Sequence, residues 1–381
     1  MSSVGVRTTS HPEPAPGREQ STPRPEDWRP LVSVVLPIRN EAAHIEACLE
    51  RLLQQDYPTE LLEFLVVDGC SQDGTREVVQ RVQQRHPDVR LRLLDNPHRI
   101  VPPALNIGIR AAQGEVVVRM DGHAKPTHDY VSQCVAALSR SGAANVGGVV
   151  EPVGDTPFGQ AVALATRHPL GAGDARYRIG GEAADVDTVM YGAFRRDVFE
   201  RVGLFDESMV RNQDYEINVR IRAEGERVHF DPAIRFAYRP RGSVRSLWSQ
   251  YAQYGWWRVE TVRRHPRSLR WRQLVPPAFV GGLILLAVVS PWWSPAALAL
   301  VAGVGAYLAI VGTVAWRLAR LAQPPANPVQ VFLAFAVMHF GWSLGFLLNV
   351  ASGGTFPRRA GRPAVPRLGE PADVPATEVL R

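Results

Sequence analysis

An apolar run over residues 116–120 stops at Asp121-Gly122-His123. A buried strand in that place carries a carboxylate and an imidazole to a sheet edge, and both are metal-ligand types. Asp-Gly at a strand end is also a common turn, so the triplet alone leaves a metal site and a plain strand end both open. Further carboxylates stand at comparable places. Glu41 follows the apolar run LVSVVLP, and Asp68 closes LLEFLVVD and opens the polar turn DGCSQDGT, which also holds Asp73. Asp214 and Glu216 open the helical stretch NQDYEINVRIRAEG, where negative charge suits the positive end of the helix.

These residues need a scaffold, and the surrounding pattern supplies one. LVSVVLP reads as a strand buried on both faces, and NEAAHIEACLERLLQQ as a helix capped by Asn40, with Ile45, Leu49, Leu52 and Leu53 on one stripe. LLEFLVVD, LRLLDN and EVVVRMD are the next strands, and TREVVQRVQQRH and PPALNIGIRAAQG the helices between them. This rhythm predicts a parallel, doubly wound sheet, in which ligands bind beyond the carboxyl ends of the strands. The turns after Pro37, Asp68, Asn96 and Asp121 then converge on one site. A strand over NVGGVVEPV follows, and residues 171–187, polar and glycine-rich, predict a mobile flap. RVHFDP and IRFAYRP read as two short closing strands.

The chain has 381 residues, enough for one large domain and an appendage. Lys+Arg of 43 against Asp+Glu of 37 gives a charge of +6, concentrated in residues 239–272 and 358–367. The first cluster abuts a long apolar region, which points to membrane lipids rather than nucleic acid. Cys48, Cys70 and Cys134 lack metal-ligand spacing and fit a reducing compartment. No apolar stretch follows the start methionine, so no cleavable signal peptide is expected. Residues 243–266 carry Leu247, Tyr251, Tyr254 and Trp257 on one stripe beside arginines, as a helix in the membrane interface would; packing against the domain is the other reading. Residues 274–292, 296–316 and 329–350 are apolar and about long enough to cross a bilayer. Arg263, Arg264, Arg267, Arg270 and Arg272 before the first place that end in the cytoplasm. For the third segment a span and a re-entrant or domain-packed helix both stay open, so two to three spans are expected.

Five motifs occur in order: PIRNEAAHI, DGCSQDGT, ALNIGI, RMDGH and NQDYEINVRIRAEG. Together they resemble the family 2 inverting glycosyltransferases, and the apolar carboxy-terminal segments with QYGWWR resemble their bacterial exopolysaccharide, succinoglycan-type branch. The resemblance implies an α/β GT-A catalytic domain with a Rossmann-like mixed sheet, followed by transmembrane helices. The expected division is a disordered tail over 1–30, a catalytic domain over 31–240, an interfacial helix and basic hinge over 241–272, spans within 273–350, and a disordered tail over 351–381.

For the site, the resemblance implies donor contacts from Pro37, Glu41, Asp68, Asp73, Asn106, Arg119, Asp121 and Arg258. It assigns the acceptor side to Tyr191, Gly192, Gln253 and Trp257, and the general base to Asp214, with Glu216 second. Asp121 matches the first carboxylate of the family's Asp-X-Asp motif, which binds Mn2+ or Mg2+ across the donor diphosphate. The second carboxylate is replaced by His123, which has three roles open to it: metal ligand, donor to a phosphate oxygen, or neither. QYGWWR resembles the Gln-X-X-Arg-Trp motif of processive synthases, but Trp256 takes the arginine position. The implied activity is transfer from a nucleotide-sugar donor, a UDP-sugar first, to a lipid-linked or glycan acceptor. The implied place is a multi-pass protein of the cell membrane with its catalytic domain in the cytoplasm. The alternatives are a processive polysaccharide synthase and a catalytically weak sugar-nucleotide-binding subunit.

Overall fold

The computed structural model describes residues 24–354 except Glu26. The expected tails over 1–23 and 355–381 lie outside the described residues. Arg24 and Trp28, expected in the first tail, are docked: Ser139 Oγ donates to the Arg24 carbonyl at 2.9 Å and Trp28 packs on the core.

The chain begins with β1 (Val32–Ile38), α1 (Ile45–Leu53), β2 (Leu62–Asp68), α2 (Thr75–Arg85), β3 (Arg90–Asp95), α3 (Val101–Ala111) and β4 (Val116–Arg119). These four strands are parallel and ordered β3-β2-β1-β4. Alternate residues face opposite layers. Val34, Leu36, Phe64 and Val66 pack under α1 and α2, while Val35, Leu65 and Val67 pack under α3. That two-sided burial is why these strands read as unbroken apolar runs. Asn40 does not cap α1. The helix starts at Ile45, and Asn40 adopts φ 54°, its amide oxygen accepting from the Gln72 N–H so that the first two loops are joined.

Beyond β4 the sheet becomes mixed. It continues through β5 (Lys125–Pro126), α4 (Tyr130–Ser141), β6 (Asn145–Pro152), α5 (Pro157–Thr166), α6 (Pro169–Ala172), α7 (Arg176–Ile179), β7 (Ala184–Asp185), β8 (Ala193–Arg195), α8 (Val198–Val202), α9 (Gln213–Ala223) and β9 (Val228–Tyr238). β8 inserts antiparallel between β4 and β6, so the full order is β3-β2-β1-β4-β8-β6-β9-β5, with β7 on β9. In this half β6 and β9 are parallel and the other pairings antiparallel. The two closing strands expected from the sequence are one strand, β9. Its register against β6 shifts between Gly147 and Val149, which absorbs the Asp231-Pro232 interruption. Residues 171–187 hold α7 and the β7 pairing rather than an unstructured flap.

The remaining helices are α10 (Val244–Arg264), α11 (Val275–Val289), α12 (Ser294–Leu321) and α13 (Pro328–Ala351). Three helical stretches are long and apolar enough to cross a membrane: Trp271–Val289, Ser294–Leu321 and Pro328–Ala351. The first two are 11% and 6% buried, whereas the third is 50% buried. α13 is one continuous helix of 24 residues packed against α10, α5 and its two neighbours, so the third apolar segment is both long enough to span and packed on the domain. α10 in turn is covered by α13 rather than free along its length. A Cβ at Gly255 would stand 1.9 Å from the Trp342 carbonyl oxygen, and one at Gly345 2.0 Å from that of Ala252. Only glycine permits that approach, as in close helix pairs of membranes.

Candidate active site

The pairing register fixes the site edge. Ile38, Asp68 and Asp95 are direct neighbours across β1, β2 and β3, and Arg119 sits opposite Val35, so the loops after all four strands open on one side. Arg119 is the hub there. Its side chain is 5% exposed, and it donates to both Asp214 and, at 3.1 Å, Asp121. The other Asp121 oxygen accepts from the Tyr191 hydroxyl at 2.6 Å. Tyr191 adopts φ 51°, stacks on Phe236 with centroids 4.8 Å apart, and lies 5.1 Å beneath the Arg119 guanidinium. Its neighbour must be glycine, since a Cβ at Gly192 would fall 2.2 Å from the Asn145 amide oxygen. Of the two residues assigned to the acceptor side by the resemblance, Tyr191 holds Asp121, and Gly192 packs against Asn145.

The electrostatics differ between the two carboxylates. Burial raises Asp121, but Arg119, His123 and the Tyr191 hydroxyl outweigh it and hold the carboxyl below its ordinary range. Burial also raises Asp214, and the charge of Asp121 adds to it; Arg119 offsets only part, so this carboxyl stays above its ordinary range. Two carboxylates thus share one cation with opposite biases, the pattern that separates an anion-holding role from a proton-accepting one. Glu216 takes no part. It is 1% exposed and committed to Arg220 at 2.8 Å and His265 at 2.9 Å.

His123 Nδ1 donates to Glu41 Oε1 at 2.8 Å. That hydrogen bond raises the imidazole most, against burial, with Asp121 and Glu41 adding to the rise. It also leaves Nε2 as the free ring nitrogen, which is how a carboxylate orients a metal-binding histidine. Among the described residues no group of three or more His, Cys, Asp or Glu could hold a metal. Asp121 and His123 suit an ion that completes its shell with phosphate oxygens and water, as Mg2+ and Mn2+ do.

Other sequence-assigned residues fall elsewhere. Asn106 is buried and its amide is spent on the loop after α8, accepting from the Phe205 N–H at 2.9 Å and donating to the Phe205 carbonyl at 2.9 Å; this is a structural tie, not a donor contact. Pro37 lies inside β1 opposite Val67. Asp68 is 1% exposed, accepting from Ser71 and from Arg76 at 3.0 Å. Asp73 accepts from Thr75 and from the Ala42 N–H, shaping the turn. Trp257 is buried, and Gln253 accepts from Arg211 at 3.2 Å. Arg258 stands 3.8 Å over the Tyr215 ring of α9 and donates to the Ser268 carbonyl and to Gln273, so it ties α9 and α10 to residues 265–274, the strap before α11.

A cavity of about 1480 Å³ lies over the hub. Its wall contains Glu41, Arg119, Asp121, His123, Tyr191, Asp214 and Arg258, together with Val275, Phe279, Met338 and Phe340 from α11 and α13. Residues 171–187 roof it, held by Arg270 to Asp187 at 2.7 Å and Arg272 to Asp174 at 2.7 Å. The sequence marks residues 171–187 as a flap but does not bring the tyrosines Tyr177, Tyr238, Tyr251 and Tyr254 together in one wall. The only sequence signal was the Arg-Tyr-Arg run at Arg176 to Arg178, set in an otherwise featureless polar stretch.

The sequence profile of glycosyl transferase family 2 matches residues 33–203. The chain is 32% identical over 318 residues to the succinoglycan biosynthesis protein ExoA of Rhizobium meliloti (strain 1021), covering 82% of this chain and 93% of that protein. It is 28% identical over 265 residues to a dolichyl N-acetyl-alpha-D-glucosaminyl phosphate 3-beta-D-2,3-diacetamido-2,3-dideoxy-beta-D-glucuronosyltransferase of Methanococcus voltae, covering 68% and 81%. In fold it matches the mannosyltransferase PcManGT from Pyrobaculum calidifontis, solved in complex with GDP-Man and Mn2+, with a TM-score of 0.61 at 23% identity over 88% of this chain and 91% of that one. The mixed sheet is that of the GT-A glycosyltransferases.

Proposed function

The chain belongs to glycosyl transferase family 2, and from that membership we propose that it moves one sugar, with inversion, from a nucleotide-diphosphate donor to a lipid-linked or glycan acceptor at the cytoplasmic membrane face. UDP-sugars come first among the donors to test. The product belongs to a cell-surface polysaccharide, in keeping with the succinoglycan protein it resembles. One observation carries the reading: Arg119 holds Asp121 and Asp214 together in the wall of a cavity that also reaches the apolar helices.

Asp214 takes the proton of the acceptor hydroxyl as its oxygen bonds to the anomeric carbon and the bond from that carbon to the diphosphate oxygen breaks. Its raised pKa suits a proton acceptor, and Arg119 keeps it aimed. Asp121 and His123 would hold a divalent ion, which when bound supplies positive charge to the leaving diphosphate. Glu41 orients His123, and Tyr191 orients Asp121. The arginines before and within the apolar segments support a cytoplasmic catalytic domain.

The test is nucleotide release from a panel of nucleotide sugars by purified protein with Mn2+ or Mg2+, with and without membrane lipid extract. Transfer of single sugars that falls about a hundredfold or more in Asp214→Asn is the expected result. No donor consumption, or an Asp214→Asn variant equal to the parent, overturns the proposal. Polymeric product would instead support the synthase reading, against which the Trp256 replacement in QYGWWR already speaks.

A further inference from the structure

We propose that Arg178 is the anion-holding group of the acceptor side, binding the phosphate of a long-chain lipid phosphate or diphosphate whose tail lies along α11 and α13. The proposal rests on the glycosyl-transfer reading above and gives its acceptor a chemical class and a binding residue.

Arg178 lies on α7, in the roof of the cavity. Among the described residues no carboxylate comes within ion-pair distance of it and no side-chain acceptor takes its donors; its one side-chain partner is the Tyr177 ring, 5.4 Å away. Of the other arginines of this wall, Arg119, Arg239, Arg270 and Arg272 are matched to carboxylates, and Arg176, Arg211 and Arg258 donate to a carbonyl or an amide oxygen, while Arg222 and Arg241 also lack a carboxylate partner among the described residues. Tyr177, Tyr238, Tyr251 and Tyr254 line the cavity together with Arg178. Arg178 is half-buried, so its guanidinium can meet an anion that enters the cavity. Its fork matches phosphate oxygens, and tyrosine hydroxyls add donors.

The placement chooses among phosphates. Tyr251 and Tyr254, with rings 5.6 Å apart, stand on α10, which packs along α13. Tyr251 also packs on the cluster that α12 and α13 form with α5. At the other end, the Tyr254 carbonyl accepts from Asn212, the residue that precedes the helix carrying Asp214. One cavity wall therefore holds a catalytic carboxylate, a cation without a carboxylate partner, tyrosines, and Phe279 and Met338 on membrane-type helices. A sugar joined through phosphate to a hydrocarbon chain has a group to match each of these. A water-soluble acceptor leaves the apolar residues without a use.

The test uses the full chain in detergent, with three acceptors bearing one hexose: a long-chain isoprenoid diphosphate, a short-chain diphosphate and the neutral glycoside of the long chain. Wild type is expected to use the first with the lowest KM. Arg178→Ala should raise that KM about ten- to a hundredfold, with kcat and donor affinity unchanged and the preference over the neutral glycoside lost. Arg178→Lys should recover part of it. Independently of transfer, long-chain isoprenoid phosphate should raise the Tm of wild type but not of Arg178→Ala, and the uncharged isoprenol should raise neither. An unchanged KM, an equal loss with the neutral glycoside, or a loss of donor affinity overturns the proposal, the last because Arg178 would then serve the donor diphosphate. If wild type transfers to the neutral glycoside as well as to the diphosphate, this proposal alone falls. If it consumes no donor with any acceptor, the glycosyl-transfer reading falls with it.

Discussion

Replacing Arg119 by methionine tests the hub directly. The change keeps apolar length over the Tyr191 ring and removes the cation. The side chains of Arg119, Asp121 and Asp214 are 5%, 20% and 24% exposed, so two largely buried carboxylates would lose their common partner. Removing one member of a buried ion pair costs about 3–5 kcal/mol, and the lower end applies because Asp121 keeps the Tyr191 hydroxyl and His123. About 3 kcal/mol lowers Tm by roughly 6–12 °C for a domain of this size. The loss should depend on pH. In the parent, Asp121 is held below its ordinary 3.8, so its contribution is present above that value and lost as pH falls through its lower folded value. Asp214 is raised above 3.8, so its burial disfavours the fold near neutrality, and that effect fades as it takes up a proton. Without Arg119 both carboxyls are raised, and the deficit is full at neutral pH and shrinks as pH falls toward 3.8. Thermal unfolding in detergent at neutral pH and at about pH 4.5 measures this. An equal deficit at both, or none at either, would refute the charge argument and leave only the packing of Arg119 on Tyr191.

Asn106→Ala should lose about 2–4 kcal/mol of stability, because the buried Phe205 N–H and carbonyl lose their partners, while donor KM stays unchanged; a raised donor KM at unchanged Tm would return Asn106 to the donor site. His123→Ala should weaken metal activation about ten- to a hundredfold and His123→Asp should shift the preference between Mn2+ and Mg2+, read from metal titrations of donor hydrolysis; no change in either rules out a ligand role. Gly345→Leu should part α10 from α13, since its Cβ meets the Ala252 carbonyl oxygen at 2.0 Å, and lower Tm by several degrees from about 1–3 kcal/mol of overpacking. A Tm within a degree of the parent would show that the two helices have room to separate.

The sequence alone determined the parallel half of the sheet, because strands buried on both faces must be apolar throughout and helices between them must carry a stripe. From β1 to β4 the runs and turns therefore read directly, and Asp68 and Asp121 could be placed at a shared edge. The three apolar segments read as directly, since length and composition set whether a helix can span. Tertiary structure decided the rest, because the deciding contacts join residues far apart in the chain. Arg119 meets Asp214 across 95 residues and Tyr191 meets Asp121 across 70, and no local pattern announces either. Asn106 lay in a motif yet holds a loop 99 residues away. Residues 171–187 have no periodicity because their anchors, Arg270 and Arg272, come from the strap before α11. Nothing local marks Gly255 and Gly345 as partners, and only their close approach to the facing helix shows why α13 packs on α10 while α11 and α12 stay largely bare.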